Sequence, residues 1–403
     1  MEPILWTDNH MPKSEDRHLQ VMSLENVERA CHFHQSFPQY SVTPLANLTG
    51  MAAHLGLGAL CVKDESYRFG LNAFKVLGGS FAMAHTIADQ LGRDVSAMDY
   101  GYLTSDQLRK EFGQATFFTA TDGNHGRGVA WSARQLHQKA VVHMPKGSVK
   151  ARFDNIANEG AQVTIEDVNY DDCVRLAARE AAETPRGVVV QDTAWEGYED
   201  IPGYIMQGYG TMAREAADQF VKTVGAAPTH VLIQAGVGSL AGAVQGYMQN
   251  RFAENPPMVT VVEATAAACL YKGAMAGDGE LRKVEGDLNT IMAGLACGEP
   301  NTISWDILRN HTGMFLSCPD WVSARGMRML GAPVKGDPRV ISGESGAVGM
   351  GVVSAVMTDP AYAALKAKMG LNAQSRVLLF STEGDTDPEN YRRIVWDGAV
   401  ASV

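Results

Sequence analysis

Lys75 lies in surroundings that favour a reactive amine. The stretch LNAFKVLGGSFAMA, residues 71–84, places this lysine among apolar and very small side chains. Such surroundings disfavour a charged ammonium, and the neutral amine is the form that acts as a nucleophile. A helix lysine whose stem packs on apolar neighbours while its ammonium reaches water fits the same pattern. The residue alone therefore leaves a catalytic and a structural interpretation open.

A glycine-rich turn is the second element that could take part in chemistry. HVLIQAGVGSLAG, residues 230–242, reads as a buried strand that continues through Gly236 and Gly238 into a helix. Glycines let backbone N–H groups approach an anion closely at a helix N-terminus, and the Ser239 hydroxyl adds a donor. A plain tight turn is the alternative. The preceding strand and the serine favour a phosphate-binding loop.

The spacing of the glycines favours a single phosphate over a dinucleotide. A dinucleotide-binding turn has the pattern G-x-G-x-x-G, and here the third glycine comes one residue late. Glu263 lies near the expected place of a ribose-binding acid, but it does not end the next strand cleanly. A dinucleotide-binding oxidoreductase with a purely structural Lys75 remains an alternative. A reactive amine together with a phosphate loop indicates pyridoxal 5′-phosphate, which needs both.

The pattern along the chain predicts the elements that must position these groups. Apolar, β-branched runs alternate with segments of helical spacing, as in the stripe Phe74, Leu77, Phe81, Ala84 and Ala88. We therefore expect an α/β protein of two domains, each with a twisted, mostly parallel sheet and helices on both faces. Sites in such sheets gather at the carboxyl ends of strands, which is where the unusual segments of this sequence lie.

Composition excludes several classes of function. The 403 residues carry a net charge of -11, which argues against nucleic acid and anionic membranes as partners. The N-terminus does not read as a signal peptide, and no apolar run reaches the roughly 20 residues that span a bilayer. The six cysteines are scattered and form no C-x-x-C pair. We expect a cytoplasmic protein with reduced thiols and no metal site.

Seven segments, spread from about residue 40 to the last strand, carry a resemblance to a known family. The chain resembles the fold-type II pyridoxal-phosphate enzymes, the group of threonine and serine dehydratases and tryptophan synthase β. Within that group it is similar to the diaminopropionate ammonia-lyases, chiefly through TDGNHGRGVAW and VQDTAWEGY. The segments are KDESYRFGLNAFKVLGG (63–79), TDGNHGRGVAW (121–131), VQDTAWEGY (190–198), QAGVGSLAG (234–242), IMAGLACGEPN (291–301), ISGESGAVG (341–349) and STEGDTD (381–387).

The resemblance implies a cofactor site. Lys75 matches the lysine that forms the Schiff base with pyridoxal phosphate, and Asn124 matches the asparagine that bonds the ring hydroxyl. Thr382 matches the hydroxyl residue that faces the ring nitrogen, although the neighbouring Ser381 could exchange roles with it. A neutral partner there leaves the ring nitrogen largely unprotonated and favours β-elimination. The phosphate cradle comprises Gly236, Val237, Gly238, Ser239 and Leu240.

The resemblance also implies a substrate loop with two acidic residues. Dehydratases of the group have a small residue between the Ser and Gly of this loop, and here that position is Asp122. A carboxylate beside a carboxylate-binding loop is unfavourable unless a cation, such as a second substrate ammonium, offsets it. Asp192 is a second carboxylate at a strand end. A plain turn at Asp122 and a helix cap at Asp192 are the structural alternatives. The predicted substrate-binding residues are Thr121, Asp122, Gly123, Asn124, His125 and Asp192, with His125 assigned no proton transfer.

The implied activity is the elimination of ammonia from D- and L-2,3-diaminopropionate, giving pyruvate and two ammonia. Asp122 is expected to take the α-proton of the D-isomer and Asp192 that of the L-isomer. A serine or threonine dehydratase-like lyase is the alternative. A substrate with a hydroxyl leaving group, however, has no second ammonium to offset the charge of Asp122. We expect residues 1–85 and 195–403 to form the larger, cofactor-binding domain and residues 86–194 the smaller one, with the site in the cleft. The resemblance further implies a homodimer.

Overall fold

The chain forms two compact units in the computed structural model, which describes residues 2–121, 123–195 and 197–401. The first unit comprises the chain up to Leu24, Val42–Ala73 and the chain from Met212 onwards. The second comprises Glu25–Ser41 and Phe74–Thr211. The predicted smaller domain, residues 86–194, lies within the second unit, which is larger than expected at both ends. Lys75 therefore belongs to the second unit.

Strands are the framework of both units. They have the bounds β1 (Leu5–Asp8), β2 (Leu45–Asn47), β3 (Ala59–Asp64), β4 (Thr116–Ala120), β5 (Lys139–Met144), β6 (Gln162–Ile165), β7 (Gly187–Val189), β8 (His230–Gln234), β9 (Met258–Ala264), β10 (Met314–Cys318) and β11 (Arg376–Ser381).

Each unit has its own sheet. The first has seven strands in the order β1-β10-β9-β8-β11-β3-β2, in which the central five are parallel and the two edge strands are antiparallel. The second has four parallel strands in the order β6-β5-β4-β7. Every residue of β8 is buried, as expected for a central parallel strand covered on both faces. The predicted α/β class with mostly parallel sheets is confirmed.

Helices connect the strands and cover the sheets. The α-helices are α1 (Leu24–Gln35), α2 (Thr49–Leu55), α3 (Val76–Leu91), α4 (Tyr100–Leu103), α5 (Asp106–Glu111), α6 (Asn124–Gln135), α7 (Lys150–Ala157), α8 (Tyr170–Glu183), α9 (Asp200–Val224), α10 (Ser239–Arg251), α11 (Cys269–Ala276), α12 (Thr302–His311), α13 (Asp320–Gly331), α14 (Glu344–Thr358), α15 (Ala363–Met369) and α16 (Pro388–Val395).

Helix α3 shows how local sequence and packing agree. Its apolar and small residues are buried along most of its length, and it ends at Gly92, which adopts the left-handed conformation. At the start of α3, the backbone of α6 comes so close that a Cβ on Gly128 would lie 2.8 Å from the Val76 nitrogen. This contact, which glycine permits, brings the start of α3 and hence Lys75 into the second unit.

An extended apolar cluster forms the core of the first unit. It joins the faces of the central strands, through residues such as Val62, Leu232, Val262 and Leu379, to α13 and α14. Burying this much apolar surface is the dominant favourable term in folding. No single helix in the described ranges has the length and apolar composition to cross a membrane. Helix α14 meets those criteria only together with the segment 360–369, to which it is bent by 95°.

Candidate active site

Lys75 stands directly before α3, and its amine has a defined partner. The side chain is 21% exposed, and Nζ donates a hydrogen bond to Oδ2 of Asp192. Nζ also lies 5.6 Å from the centre of the Phe74 ring, within the range of a cation–π interaction. The structure thus brings together two of the residues predicted to be catalytic, although 117 positions separate them in the chain.

Asp192 is a buried carboxylate that stays ionised. Burial alone would raise its pKa, but the positive charge of Lys75, with a smaller effect of His125, lowers the pKa to about 2. The chain around Asp192 is held by Tyr198, whose hydroxyl accepts from the Gln191 nitrogen (2.8 Å) and donates to the Val189 carbonyl (3.1 Å). Asp192 follows β7, so it is held at the carboxyl end of a strand, as the sequence predicts.

His125 completes a buried group around Asp192. Its Nε2 lies 2.9 Å from the Val190 carbonyl, which can only accept a hydrogen bond, so Nε2 carries the hydrogen. Its Nδ1 lies 3.9 Å from Oδ2 of Asp192 and has no hydrogen-bond partner among the described residues. Burial lowers the pKa of His125. The ring thus places Nδ1 beside the Lys75–Asp192 pair.

Thr121 organises the turn that precedes α6. Its hydroxyl accepts hydrogen bonds from the backbone nitrogens of Gly123 (3.0 Å) and Gly126 (3.2 Å). A Cβ on Gly126 would lie 2.2 Å from the Thr121 methyl carbon, so the close turn requires glycine there. The helix begins at Asn124, which places the predicted ring-binding asparagine and His125 in its first turn. Asp122 lies outside the described residues.

Tyr209 lies beside Lys75 and was not predicted from the sequence. Its ring centre is 5.8 Å from Nζ and 4.7 Å from the centre of the Phe74 ring. The residue is fully buried, and its hydroxyl has no hydrogen-bond partner in the described part of the chain. Gly78 leaves room for it, since a Cβ there would lie 2.7 Å from the tyrosine ring. Nothing in the helical pattern around Tyr209 distinguishes it from a core residue.

The glycine loop of the first unit presents unpaired backbone donors. The N–H groups of Gly236, Val237 and Gly238 donate to no acceptor within the described ranges. Gly238 has φ +101°, and a Cβ there would lie 2.8 Å from the Ser304 hydroxyl. Helix α10 begins at the next residue, Ser239, so the positive end of its dipole points to the same place. Three free N–H groups at a helix N-terminus match a phosphate.

Asn301 and Ser304 hold this loop, and sequence reasoning missed both. The Asn301 amide donates to the Ser239 hydroxyl (2.9 Å), and its backbone nitrogen donates to the Val237 carbonyl (2.7 Å). Its side-chain oxygen accepts from the Ser304 nitrogen and so caps α12. The sequence signal for Asn301 was its position three residues before Ser304, but that signal identifies only a helix start.

Thr382 follows β11 and is bonded to the end of β8. The Gln234 amide donates to the Thr382 hydroxyl (2.8 Å) and to the Phe380 carbonyl (3.0 Å). The Thr382 oxygen therefore acts as an acceptor for Gln234. The hydrogen of the Thr382 hydroxyl is available for an acceptor such as a pyridine nitrogen. The hydroxyl of Ser381 instead donates to the Glu383 carbonyl (3.3 Å). These contacts favour Thr382 over Ser381 as the ring-nitrogen partner.

Glu263 is committed to a structural role. Its two carboxylate oxygens accept from the backbone nitrogens of Leu270 (2.9 Å) and Tyr271 (2.6 Å) in the first turn of α11. Burial raises its pKa to about 8 despite these hydrogen bonds. A carboxylate occupied in this way is not free to bind a ribose. In the part of the chain that the structure describes, no group of three or more His, Cys, Asp or Glu residues could hold a metal ion, and none of the six cysteines forms a disulfide.

Residues 37–379 match the family of pyridoxal-phosphate dependent enzymes. The chain belongs to this family. This pyridoxal-phosphate-dependent enzyme is 52% identical over 370 residues to the diaminopropionate ammonia-lyase of Salmonella typhimurium, an alignment that covers 92% of this chain and 91% of the relative.

Solved structures of the Escherichia coli diaminopropionate ammonia-lyase are also similar to this pyridoxal-phosphate-dependent enzyme. The complex with D-serine has a TM-score of 0.90 at 46% identity, covering 99% of this chain and 98% of that chain. The complex with an aminoacrylate-PLP azomethine reaction intermediate has a TM-score of 0.88 with the same identity and coverage. The predicted fold type II is thereby confirmed, as is the predicted cofactor.

The described residues fit pyridoxal phosphate. The glycine loop offers free N–H groups and a surface without side chains, as a phosphate requires. Lys75 offers an amine with a counter-charge, and Thr382 offers a hydroxyl hydrogen at a strand end. A dinucleotide would need a carboxylate that is free to bind the ribose, and Glu263 is not free. The family match also indicates pyridoxal phosphate instead of a dinucleotide.

Proposed function

We infer that this pyridoxal-phosphate-dependent enzyme eliminates ammonia from 2,3-diaminopropionate. The observation that carries this conclusion is the 52% identity, over 92% of the chain, to the Salmonella typhimurium enzyme of that name. The ion pair between Lys75 and Asp192 supports it, because it puts an amine and a carboxylate side by side in a buried group. The protein is accordingly a carbon–nitrogen lyase.

We propose the following roles for the cofactor site. Lys75 is the residue that attaches the cofactor covalently, and the N–H groups of 236–240 bind its phosphate. Asn124 bonds the ring hydroxyl and Thr382 donates to the ring nitrogen. When bound, pyridoxal phosphate withdraws electrons from the substrate's α-carbon and so makes the α-proton acidic. Thr382 supports elimination because a hydroxyl does not protonate the ring nitrogen fully.

Substrate binding and proton transfer fall to the loop at 121–125 and to Asp192. The N–H groups of Asn124 and His125, in the first turn of α6, are proposed to bind the substrate carboxylate. Those of Thr121 and Gly123 already donate to the His143 carbonyl (3.0 Å) and the Thr121 hydroxyl (3.0 Å). Asp122 and Asp192 supply negative charge for the second ammonium, which distinguishes a diamino acid from serine or threonine. Nζ of Lys75 donates a hydrogen bond to Asp192, so a proton that the neutral amine takes up from the α-carbon is stabilised by the carboxylate.

We further propose that both enantiomers are substrates and that the products are pyruvate and two ammonia, formed with one water. Purified holoenzyme incubated with D- or L-2,3-diaminopropionate should release two ammonia per pyruvate, as measured with coupled dehydrogenases. D-serine and L-serine are the comparison substrates, because the Escherichia coli relative was solved with D-serine. A higher kcat/KM on either serine than on both diaminopropionates would assign the protein to the dehydratases instead. The expected homodimer and cytoplasmic location stay predictions.

A further inference from the structure

A cavity of about 350 Å³ in the second unit lies near the amino ends of β4 and β5. Three buried alanines form its floor, and long polar side chains, mostly exposed, surround them. We name this cavity the cationic pocket. The floor consists of Ala130, Ala133 and Ala140, and the surrounding polar residues are Arg109, Gln114, Arg134, His137 and Gln138.

The cationic pocket has no acidic residue in its lining, although the chain as a whole has a net charge of -11. Two neighbouring cavities share some of its residues, but each includes a carboxylate. The smaller one, of about 80 Å³, is lined in part by Asp106, and the larger, of about 470 Å³, by Glu180. Among these three cavities, only the cationic pocket has no carboxylate in its lining.

The two guanidinium groups leave positive charge available to a ligand. The Arg109 side chain has no hydrogen-bond or ion-pair partner among the described residues. Arg134 pairs with Glu159 (2.7 Å), but Glu159 also pairs with Arg127 (3.2 Å). Nη1 of Arg134 also donates to the uncharged Asn158 carbonyl (3.4 Å), so Arg134 shares the negative charge of Glu159 with Arg127. Planar guanidinium groups bind phosphate and carboxylate through paired hydrogen bonds.

The cationic pocket is distinct from the candidate active site. Helix α6 carries Asn124 and His125 in its first turn and Arg134 in its last. At a rise of about 1.5 Å per residue, ten residues separate the two ends by roughly 15 Å. The pocket is also at the amino ends of β4 and β5, whereas Thr121 and Asp192 follow the carboxyl ends of β4 and β7. A ligand in the pocket would therefore not be the substrate.

We propose that the cationic pocket binds a small molecule carrying a phosphate group or several carboxylates, at a site separate from catalysis. The anionic group would lie between Arg109 and Arg134, and the uncharged part of the molecule would lie on the alanine floor. A volume of about 350 Å³ is at the lower end of the 300–1,000 Å³ typical of ligand pockets. This size suits a compact anion of the dimensions of a nucleotide or a tricarboxylate.

Calorimetric titration of the holoenzyme tests this proposal. The probes are uridine 5′-monophosphate, citrate and the uncharged nucleoside uridine. We expect at least one of the two anions to bind at one site per chain and uridine not to bind. Binding of uridine 5′-monophosphate alone would indicate a phosphate ligand, and binding of citrate alone would indicate a carboxylate ligand. Arg109→Gln should weaken the binding about ten-fold or more, because a charge-assisted hydrogen bond is lost.

Two further variants control the measurement. Arg134→Gln should weaken anion binding like Arg109→Gln, and it replaces that variant if Arg109→Gln unfolds. Arg179→Gln, on the exposed side of α8 and outside the pocket lining, should bind the anion like the parent protein. Absence of binding by both anions at millimolar concentration would overturn the proposal, as would undiminished binding in folded Arg109→Gln and Arg134→Gln.

Discussion

The Lys75–Asp192 ion pair decides how the candidate lysine is held. Both side chains are mostly removed from water, where opposite charges attract more strongly than in solvent. The carboxylate supplies the counter-charge that the apolar neighbours of Lys75 do not. Removing either partner would deprive the other of this opposite charge in surroundings that are mostly removed from water, which is costly for such pairs.

Lys75→Ala should abolish covalent attachment of the cofactor and reduce elimination by several orders of magnitude. Borohydride reduction of the parent holoenzyme, followed by peptide mapping, should place the pyridoxyl group on Lys75. Lys139→Ala, a change at an exposed lysine, is the control and should keep the attachment. A pyridoxyl group on Lys63 would contradict the assignment, and the structure argues against it. Lys63 is fully buried and its Nζ pairs with Glu215 at 2.7 Å.

Asp122→Asn and Asp192→Asn should separate the two enantiomers. A general base contributes about 10²–10⁴ in rate, and removing one base should affect mainly the isomer that it serves. We expect Asp122→Asn to lower kcat/KM for D-2,3-diaminopropionate more than for the L-isomer, and Asp192→Asn to show the opposite bias. The Asp192 variant should also lower both values, since it removes the carboxylate charge beside Lys75. Equal losses on both isomers in each variant would limit the carboxylates to substrate binding.

At the scale of elements, the turn between β8 and α10 is the proposed binding site of the cofactor phosphate. The strand is buried throughout, so its end is rigidly placed. The glycines then turn the chain into a helix without filling the space in front of its first N–H groups. Asn301 and Ser304 support the turn from α12.

Gly238→Ala should weaken pyridoxal-phosphate binding at least about ten-fold. The new Cβ would lie 2.8 Å from the Ser304 hydroxyl, and alanine rarely adopts φ +101°, so the turn must shift. Absorbance titration of the apo-enzyme gives the dissociation constant. Gly225→Ala is a matched control, because Gly225 also has positive φ (+80°) but a Cβ there meets no atom within 4 Å. Equal affinity in the two variants would mean that the loop is only a turn.

At the scale of the whole molecule, buried Glu263 links stability to pH. Its pKa is raised from 4.5 to about 8, chiefly by burial, so the folded protein binds a proton at pH values where the unfolded chain has released it. Unfolding free energy falls with rising pH wherever the folded state binds more protons. The contribution of Glu263 is therefore fully present below pH 4.5 and is lost progressively as the pH rises to about 8.

Glu263→Gln should remove this contribution. Relative to the parent, its free energy of unfolding should rise steadily between pH 4.5 and 8, because glutamine does not ionise. Glutamine keeps an acceptor for only one of the two α11 nitrogens, and this loss lowers the free energy of unfolding by an amount that does not depend on pH. Urea denaturation across that range measures the difference. Glu254→Gln, at an exposed position, is the control and should run parallel to the parent. A pH-independent difference between Glu263→Gln and the parent would show that burial does not control this carboxyl.

Features that depend on neighbours in the chain could be predicted from the amino-acid sequence. Alternating strand and helix patterns predicted the α/β class, and the order of strand, glycines and helix predicted the loop at 236–240. The apolar setting of Lys75 and the position of Thr382 after a strand could be read in the same way. Such features are local because a helix start or a turn is set by a few successive residues.

Which of these residues meet could not be predicted from the sequence and became visible in the folded chain. It paired Lys75 with Asp192, placed Tyr209 against both Phe74 and the lysine, and bonded Gln234 to Thr382. It also placed the start of α3 in the second unit, whereas the sequence had assigned it to the larger domain. These contacts join residues more than 100 positions apart. They depend on how helices and strands pack, and hydrophobic periodicity marks which faces are buried without specifying their partners.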